Sequence, residues 1–208
     1  MSSTLYYIHD PMCSWCWGFS ATLRTLEKTL PVNMRIVRVL GGLAEDCENA
    51  MPESMQHMLQ QTWKQIETAI PGTQFNHSFW TSNKPRRSTW PSCRAVIAAR
   101  NQDPTLEAPM IHAIQEAYYL QARNPSDTDV LIDIARHLGC DARLFAEQIH
   151  NELTRNTLLG EMRFSRELGA QGFPSLRVKT NQGQLVELPV NYNNPSAMLE
   201  QIEQTNLA

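Results

Sequence analysis

The spacing of apolar residues changes twice along the chain and so predicts three successive regions. In the first region, "TLYYIHD" (4–10) is short and rich in β-forming residues, as a buried strand is. Phe19, Leu23 and Leu26 then recur at helical spacing, and "MRIVRVL" (34–40) alternates basic and apolar residues like a second strand. The order β-α-β favours a parallel strand pair joined by a crossover helix.

The second region, from about residue 51 to 169, keeps helical spacing almost throughout. Ser126-Asp127-Thr128-Asp129 predicts a capping box at the start of one of its helices. In the third region, 172–180 reads as a strand, 181–183 as a hairpin turn, 184–190 as its antiparallel partner and 195–204 as a closing helix.

Together the three regions predict an α/β fold in which a large all-helical insert interrupts a β-α-β and β-β-α core. The expected boundaries place the first part of the core at 1–45, the helical insert at 46–169 and the second part of the core at 170–208.

Composition and charge exclude several classes of partner. The 208 residues are 42% hydrophobic and carry a net charge of -3, so nothing favours nucleic acid or an anionic membrane as a partner. The N-terminus "MSSTLYYIHD" lacks the features of a signal peptide, and no apolar run is long enough for a membrane span. We therefore expect a soluble cytoplasmic protein, and the pattern does not choose between a monomer and a homodimer.

The stretch "HDPMCSWCWGFS" (9–20) carries the main candidate chemistry, because two cysteines stand at the predicted start of a helix. Backbone N–H groups and the helix dipole stabilise a thiolate on Cys13. Cys16 lies one turn further on the same face, where it can attack a mixed disulfide formed at Cys13. Ser14 and Trp15 between them tune the reduction potential. Such a pair stores two electrons itself, so no metal or organic cofactor is expected.

Two other interpretations of the cysteines stay open on residues alone. Zinc needs about four ligands, and a second ligand pair is missing, so we expect no metal. Incidental buried thiols are common, an interpretation that fits Cys93 and Cys140 better than the cysteines at the helix start. The odd count of five cysteines excludes a complete disulfide framework within one chain. Whether Cys47, Cys93 or Cys140 takes part in redox chemistry is left open.

Gly172-Phe173-Pro174-Ser175 is the second informative motif, because proline is tolerated at the first residue of a strand. A cis bond before Pro174 would turn the preceding backbone toward the cysteines, where its amide and carbonyl groups could meet an incoming thiol.

A strand, then Cys13-Ser14-Trp15-Cys16 opening a helix, then Gly172-Phe173-Pro174-Ser175 after a helical insert resembles the DsbA-like branch of the thioredoxin superfamily. "DPMCSWCWGF" and "GFPSL" resemble more closely its group of cytoplasmic protein-disulfide isomerases, relatives of FrnE-like proteins. The resemblance implies that Cys13 is the nucleophile, Cys16 the resolving cysteine and Pro174 the cis-proline. It also implies protein thiols or disulfides as partners, with glutathione as a candidate co-substrate. Periplasmic DsbA has Pro-His between its cysteines, whereas this chain has Ser14-Trp15, so the resemblance does not extend to a strongly oxidising potential and leaves the direction of electron flow open.

Two rival functions remain beside thiol–disulfide exchange. The same fold includes kappa-class glutathione transferases and 2-hydroxychromene-2-carboxylate isomerases, which have serine where this chain has Cys13. The third reading is a chaperone that holds polypeptide on a methionine-rich helical insert.

Four side chains besides the cysteines and Pro174 are candidates for substrate contact: Arg86, Arg87, His9 and Phe173. Arg86 and Arg87 could bind a carboxylate such as that of glutathione, and a solvated basic loop explains them equally well. His9 stands near the end of the first strand, where it could contact the Cys13 thiolate or transfer protons. Phe173 precedes the proline and would supply the backbone that faces the cysteines.

Overall fold

The computed structural model describes the backbone of residues 3–207 and the side chains of residues 3–205. The described residues form four strands, β1 (Ser3–His9), β2 (Met34–Leu40), β3 (Ser175–Lys179) and β4 (Leu185–Leu188). The helices are, in chain order, α1 (Ser14–Thr29), α2 (Glu53–Ala69), α3 (Phe79–Ser82), α4 (Trp90–Gln102), α5 (Glu107–Tyr119), α6 (Thr128–His137), α7 (Ala142–Gln148), α8 (Glu152–Glu167) and α9 (Pro195–Leu207). A short 3₁₀ helix (Pro104–Leu106) precedes α5.

The strands form one mixed sheet in the order β2-β1-β3-β4. β1 runs parallel to β2 and antiparallel to β3, and β4 is antiparallel to β3. Successive side chains of β1 point to opposite faces of the sheet. Leu5 packs with residues of α1 and α9 on one face, and Ile8 packs with Val39 and Leu168 on the other. The central strand is therefore covered on both faces, and its carboxyl end is held inside the molecule.

The observed order confirms the predicted fold class, a β-α-β and β-β-α core with a large helical insertion. α2 to α8 all lie between β2 and β3 in the chain. The boundaries expected at residues 45 and 169 stay a prediction. No helix within residues 3–207 combines the length and apolar character that a membrane crossing requires.

An aromatic cluster joins the start of α1 to the inserted helices. Trp63 of α2 is fully buried, with its ring centroid 4.8 Å from that of Phe75 and 5.6 Å from that of Tyr119. Met12 packs into the same cluster, directly before Cys13. The inserted helices consequently form part of the surroundings of the cysteines.

The predicted capping box at the start of α6 is wrong. Asp127 occupies the N-cap position but makes no side-chain cap hydrogen bond. Its Oδ1 instead accepts from Arg86 Nη2 at 2.6 Å, and the Ser126 hydroxyl donates to the Ser88 carbonyl at 2.7 Å. Both side chains therefore bind the loop before α4, some 40 residues earlier in the chain. The local sequence around α6 does not show that Arg86 and Ser88, which are distant in the chain, bind the side chains that would otherwise cap the helix.

Candidate active site

Cys13 lies at the N-terminus of α1, immediately beyond the carboxyl end of β1. It is the N-cap residue, and no side chain caps this helix end. Its amide donates to the Asp10 carbonyl at 3.0 Å, and its carbonyl accepts from the Trp17 amide at 3.1 Å. The first turn of α1 contains no acidic residue that would compete for the positive end of the helix dipole. The backbone thus holds the Cys13 sulfur where negative charge is favoured.

The Gly172–Ser175 motif meets Cys13 across 160 residues of sequence. Cys13 Sγ lies 3.4 Å from the Phe173 carbonyl oxygen, to which the thiol donates. The Phe173–Pro174 peptide bond is cis, and Pro174 is buried. The ring of Phe173 fills the space above Gly41, where an added Cβ would lie 1.9 Å from the phenyl Cζ. Phe173 is therefore held against the loop that follows β2.

Cys16 lies one turn deeper and is fully buried, whereas Cys13 is 7% exposed. Both are free thiols. Burial raises the pKa of the Cys16 thiol well above its usual value, and its hydrogen bond with Cys13 and the charge there raise it further. Burial also raises the pKa of Tyr7, as do the nearby cysteines and a hydrogen bond with Cys16. Cys16 is thus a protonated thiol at neutral pH, behind a more accessible sulfur.

Asp10 organises the loop that presents Cys13. Its Oδ1 accepts from the Met12 amide at 2.8 Å. Its Oδ2 accepts from the Leu43 amide at 2.7 Å, the Thr89 hydroxyl at 2.6 Å and the Cys93 thiol at 3.5 Å. Burial raises the pKa of Asp10, and these hydrogen bonds oppose that rise. One carboxyl group therefore ties the cysteine loop to the loop after β2 and to α4.

The two residues between the cysteines have different surroundings. Ser14 is buried, and its hydroxyl accepts a hydrogen bond from Trp63 Nε1 at 3.0 Å. Trp15 is half-buried, with its ring centroid 5.3 Å from that of Tyr192 near the start of α9. Ser14 is thus fixed by the inserted helices, whereas Trp15 lies at the edge of the site.

His9 is fully buried but does not donate to or accept from Cys13. Its ring stacks on Tyr7 at a centroid distance of 4.7 Å, and within the described residues neither ring nitrogen has a hydrogen-bond partner. Burial, followed by the positive charges of Arg38 and Arg100, lowers the pKa of His9 to about 3. The ring is therefore neutral, and it stacks on Tyr7, which has a hydrogen bond with Cys16.

Cys13 opens onto a cavity of about 240 Å³. Its lining is mostly apolar and comes from the cysteine loop, the loop after β2, α2 and the segment before α4, and includes Met12, Trp15, Leu43, Met51, Met58, Leu59, Tyr118 and Phe173. Arg86 and Arg87 also line the cavity. The structure therefore places Cys13, Phe173 and the two arginines that were predicted to bind a carboxylate around one cavity.

The remaining cysteines do not complete a metal site. Cys93 lies near the cysteine loop through its contact with Asp10, while Cys140 is buried after α6 and Cys47 is half-buried. Within residues 3–207, no three His, Cys, Asp or Glu side chains are grouped so that they could hold a metal ion.

A family model described as thioredoxin matches residues 6–201 of the chain. The chain belongs to this thioredoxin family. Among solved structures, this thioredoxin-family chain is similar to a candidate protein disulfide isomerase from Nitrosomonas europaea, with 23% identity, a TM-score of 0.86 and coverage of 100% of this chain and 98% of that one. It is also similar to the cytosolic disulfide reductase DsbM from Pseudomonas aeruginosa, with 25% identity, a TM-score of 0.81 and coverage of 99% and 100%.

Other neighbours include DsbA oxidoreductases from Xylella fastidiosa and Pseudomonas aeruginosa, which at 13% and 12% identity share the fold with this chain. The family match confirms the predicted resemblance to the thioredoxin superfamily. A second DsbM structure contains GSH; it shares 23% identity with this chain at a TM-score of 0.78. Among curated proteins, the ClpXP adapter protein SpxH of Halalkalibacterium halodurans is 24% identical over 175 residues, which cover 82% of this chain and 56% of SpxH. The thioredoxin-family chain thus spans about half the length of the curated relatives it matches.

Sequence reasoning missed three residues around the cysteine pair. Asp10 carried a detectable signal, since an aspartate that binds the amide two residues later forms a recognisable turn. Tyr7 and Trp63 carried no such signal. Tyr7 looks like any buried strand residue, and Trp63 meets Ser14 across 49 residues of sequence.

Proposed function

We propose that this thioredoxin-family protein is a thiol–disulfide oxidoreductase whose reacting atom is the sulfur of Cys13. The observation that carries the proposal is the position of Cys13, at an uncapped helix N-terminus, 3.4 Å from the Phe173 carbonyl and open to a cavity. The buried, protonated thiol of Cys16 lies behind it. This arrangement separates a nucleophile from a resolving group within one helical turn.

The proposed reaction has two exchange steps. Cys13 as a thiolate attacks one sulfur of a substrate disulfide, forms a mixed disulfide and releases the other substrate sulfur as a thiolate that takes up a proton. Cys16 then loses its proton and attacks the Cys13 sulfur, which releases the second substrate thiol. The substrate gains two electrons, and the protein is left with a Cys13–Cys16 disulfide. In isomerisation, a different thiolate of the substrate attacks the mixed disulfide and releases Cys13 as a thiolate. The substrate then has a new disulfide, and no net electron transfer has taken place.

The pair supplies the redox chemistry itself, so the proposal includes no metal or organic cofactor. We propose protein disulfides and thiols as substrates in the cytoplasm, with glutathione as the thiol that regenerates the reduced pair. The similarity to DsbM, a cytosolic disulfide reductase whose structure with GSH is known, supports this choice. Ser14-Trp15 between the cysteines supports reduction or isomerisation over strong oxidation, because no histidine stands there to stabilise the reduced pair.

Cysteine variants test the proposal. Cys13→Ser should lose reduction of insulin and isomerisation of a scrambled disulfide substrate, because the attacking sulfur is absent. Cys16→Ala should accumulate a mixed disulfide visible by mass spectrometry, because its intramolecular release is removed. Cys47→Ser, which alters a half-buried cysteine outside the cavity lining, is the matched control and should behave like the unmodified protein.

Other outcomes separate the rival functions. Full activity in Cys13→Ser would refute thiol–disulfide exchange at this site. Turnover of an aromatic substrate that needs glutathione and survives in Cys16→Ala would instead favour a glutathione-dependent transferase or isomerase. Suppression of aggregation that survives loss of both cysteines, without any redox activity, would favour a holding chaperone.

A further inference from the structure

The cavity beside Cys13 combines an apolar wall with two positive charges and no acidic side chain. Most of its lining consists of Met, Leu and aromatic residues, which leave the cations few polar neighbours. Charge in such surroundings is costly unless a counter-charge or hydrogen-bond acceptor is present. The two arginines differ in whether this chain supplies one.

Arg86 already has its partners. Its Nη2 donates to Asp127 Oδ1 at 2.6 Å and to the Ser126 carbonyl at 2.9 Å, and its Nε lies 3.8 Å from a carboxylate oxygen of Glu48. Arg86 therefore connects the loop before α4 to the start of α6. Its charge is balanced by this chain and is not available to a ligand.

Arg87 has no such partner. Its side chain is half-buried and lines the cavity, yet within residues 3–207 no carboxylate or carbonyl accepts a hydrogen bond from its guanidinium. The charge of Arg87 acts on Tyr118, another cavity residue, whose pKa is raised by burial while the charge of Arg87 opposes the rise. The same cavity is thus lined both by Cys13 and by Arg87, whose positive charge has no carboxylate partner among the described residues.

We infer that Arg87 binds a carboxylate of a low-molecular-weight thiol or disulfide whose sulfur reaches Cys13. This rests on the proposed function and concerns its low-molecular-weight partner, beside the proposed protein substrates. A small thiol or disulfide suits this position, because Cys13 is only 7% exposed and the cavity beside it measures about 240 Å³. The apolar wall contacts the carbon skeleton of the ligand, and the guanidinium can engage its carboxylate through two parallel hydrogen bonds.

Arg87 takes no part in the electron transfer. Cys13 forms a bond to one sulfur of the anionic disulfide, the other sulfur leaves as a thiolate, and Cys16 then releases the bound half as described above. Two electrons pass from the cysteine pair to the ligand. The role of Arg87 is to hold the anionic ligand with its sulfur at Cys13, so its loss should affect anionic substrates selectively.

The experiment compares oxidation of the reduced protein by glutathione disulfide, which carries carboxylates, and by hydroxyethyl disulfide, which is neutral. Arg87→Gln should lower the second-order rate constant for glutathione disulfide about tenfold, the effect of losing one charged contact, and change that for hydroxyethyl disulfide less than about twofold. Arg87→Lys should restore most of the difference, because it keeps the charge. Arg143→Gln, at an exposed position on α7, makes the same change in net charge and should leave both rate constants unaltered.

An equal effect of Arg87→Gln on both disulfides, or no effect on either, would overturn the inference. Thermal melting shows whether Arg87→Gln is folded. If it is not, the test uses Arg87→Lys, whose ratio of the rate constant for glutathione disulfide to that for hydroxyethyl disulfide should stay close to that of the unmodified protein. If the unmodified protein reacts with neither disulfide at Cys13, the proposed function fails instead. The two failures are therefore distinguishable.

Discussion

Replacing His9 with phenylalanine tests whether a neutral histidine buried behind the cysteine pair limits stability in acid. His9 has no hydrogen-bond partner for either ring nitrogen among the described residues, and its pKa is lowered to about 3 from an ordinary value of 6.5. At a pH between about 3 and about 6.5, His9 is protonated in the unfolded chain and neutral in the folded one, so the unfolded chain binds more protons. Folding stability is therefore lost as the pH falls from about 6.5 toward about 3.

The size of this loss follows from the two pKa values. At about pH 5 almost all unfolded chains carry a protonated His9 and almost no folded ones do, which costs about 2 kcal/mol of unfolding free energy relative to about pH 7.5. His9→Phe keeps an aromatic ring to stack on Tyr7 and removes both unpaired nitrogens. We expect the variant to be at least as stable as the unmodified protein at neutral pH, and to lose about 2 kcal/mol less on acidification.

The assay is urea unfolding followed by tryptophan fluorescence at the two pH values. Asp10 has a pKa raised by burial, so its protonation opposes the loss of stability in acid, but both proteins contain Asp10 and its contribution cancels in the comparison. His150→Gln is the matched control, since His150 is exposed, and it should preserve the pH dependence of the unmodified protein. The reasoning is refuted if His9→Phe loses as much stability as the unmodified protein between the two pH values.

Two further predictions concern contacts that hold the site in place. Gly41→Ala would place a Cβ 1.9 Å from the Phe173 ring, so we expect a loss of about 1–3 kcal/mol in urea unfolding and slower reaction of Cys13 with disulfides. Gly160→Ala, with only the end of an arginine side chain nearby, is the control, and equal behaviour of the two variants would contradict this role. Ser14→Ala should cost about 1–3 kcal/mol, because it leaves the buried Trp63 Nε1 without an acceptor. Adding Trp63→Phe removes that donor, so the double variant should lose less stability than the sum of the single losses, and strict additivity would argue against the hydrogen bond.

Local sequence was enough to predict the order of the main elements and the position of the cysteines at a helix start. Hydrophobic spacing is set by local geometry, with one period for strands and another for helices, so 4–10 and 34–40 were recognisable as strands from their own residues. The cysteine pair was recognisable for the same reason, because a strand followed at once by Cys13-Ser14-Trp15-Cys16 places the first sulfur at the helix end.

The residues that complete the site come together through long-range packing, which local sequence does not encode. The contacts of Cys13 with Phe173, of Ser14 with Trp63 and of Arg86 with Asp127 join residues that local sequence does not relate. Two adjacent arginines look alike in the sequence, yet one is balanced by a carboxylate 41 residues away, and the other has no such acceptor among the described residues. Which charge remains available depends on packing between distant segments, and no local pattern encodes that.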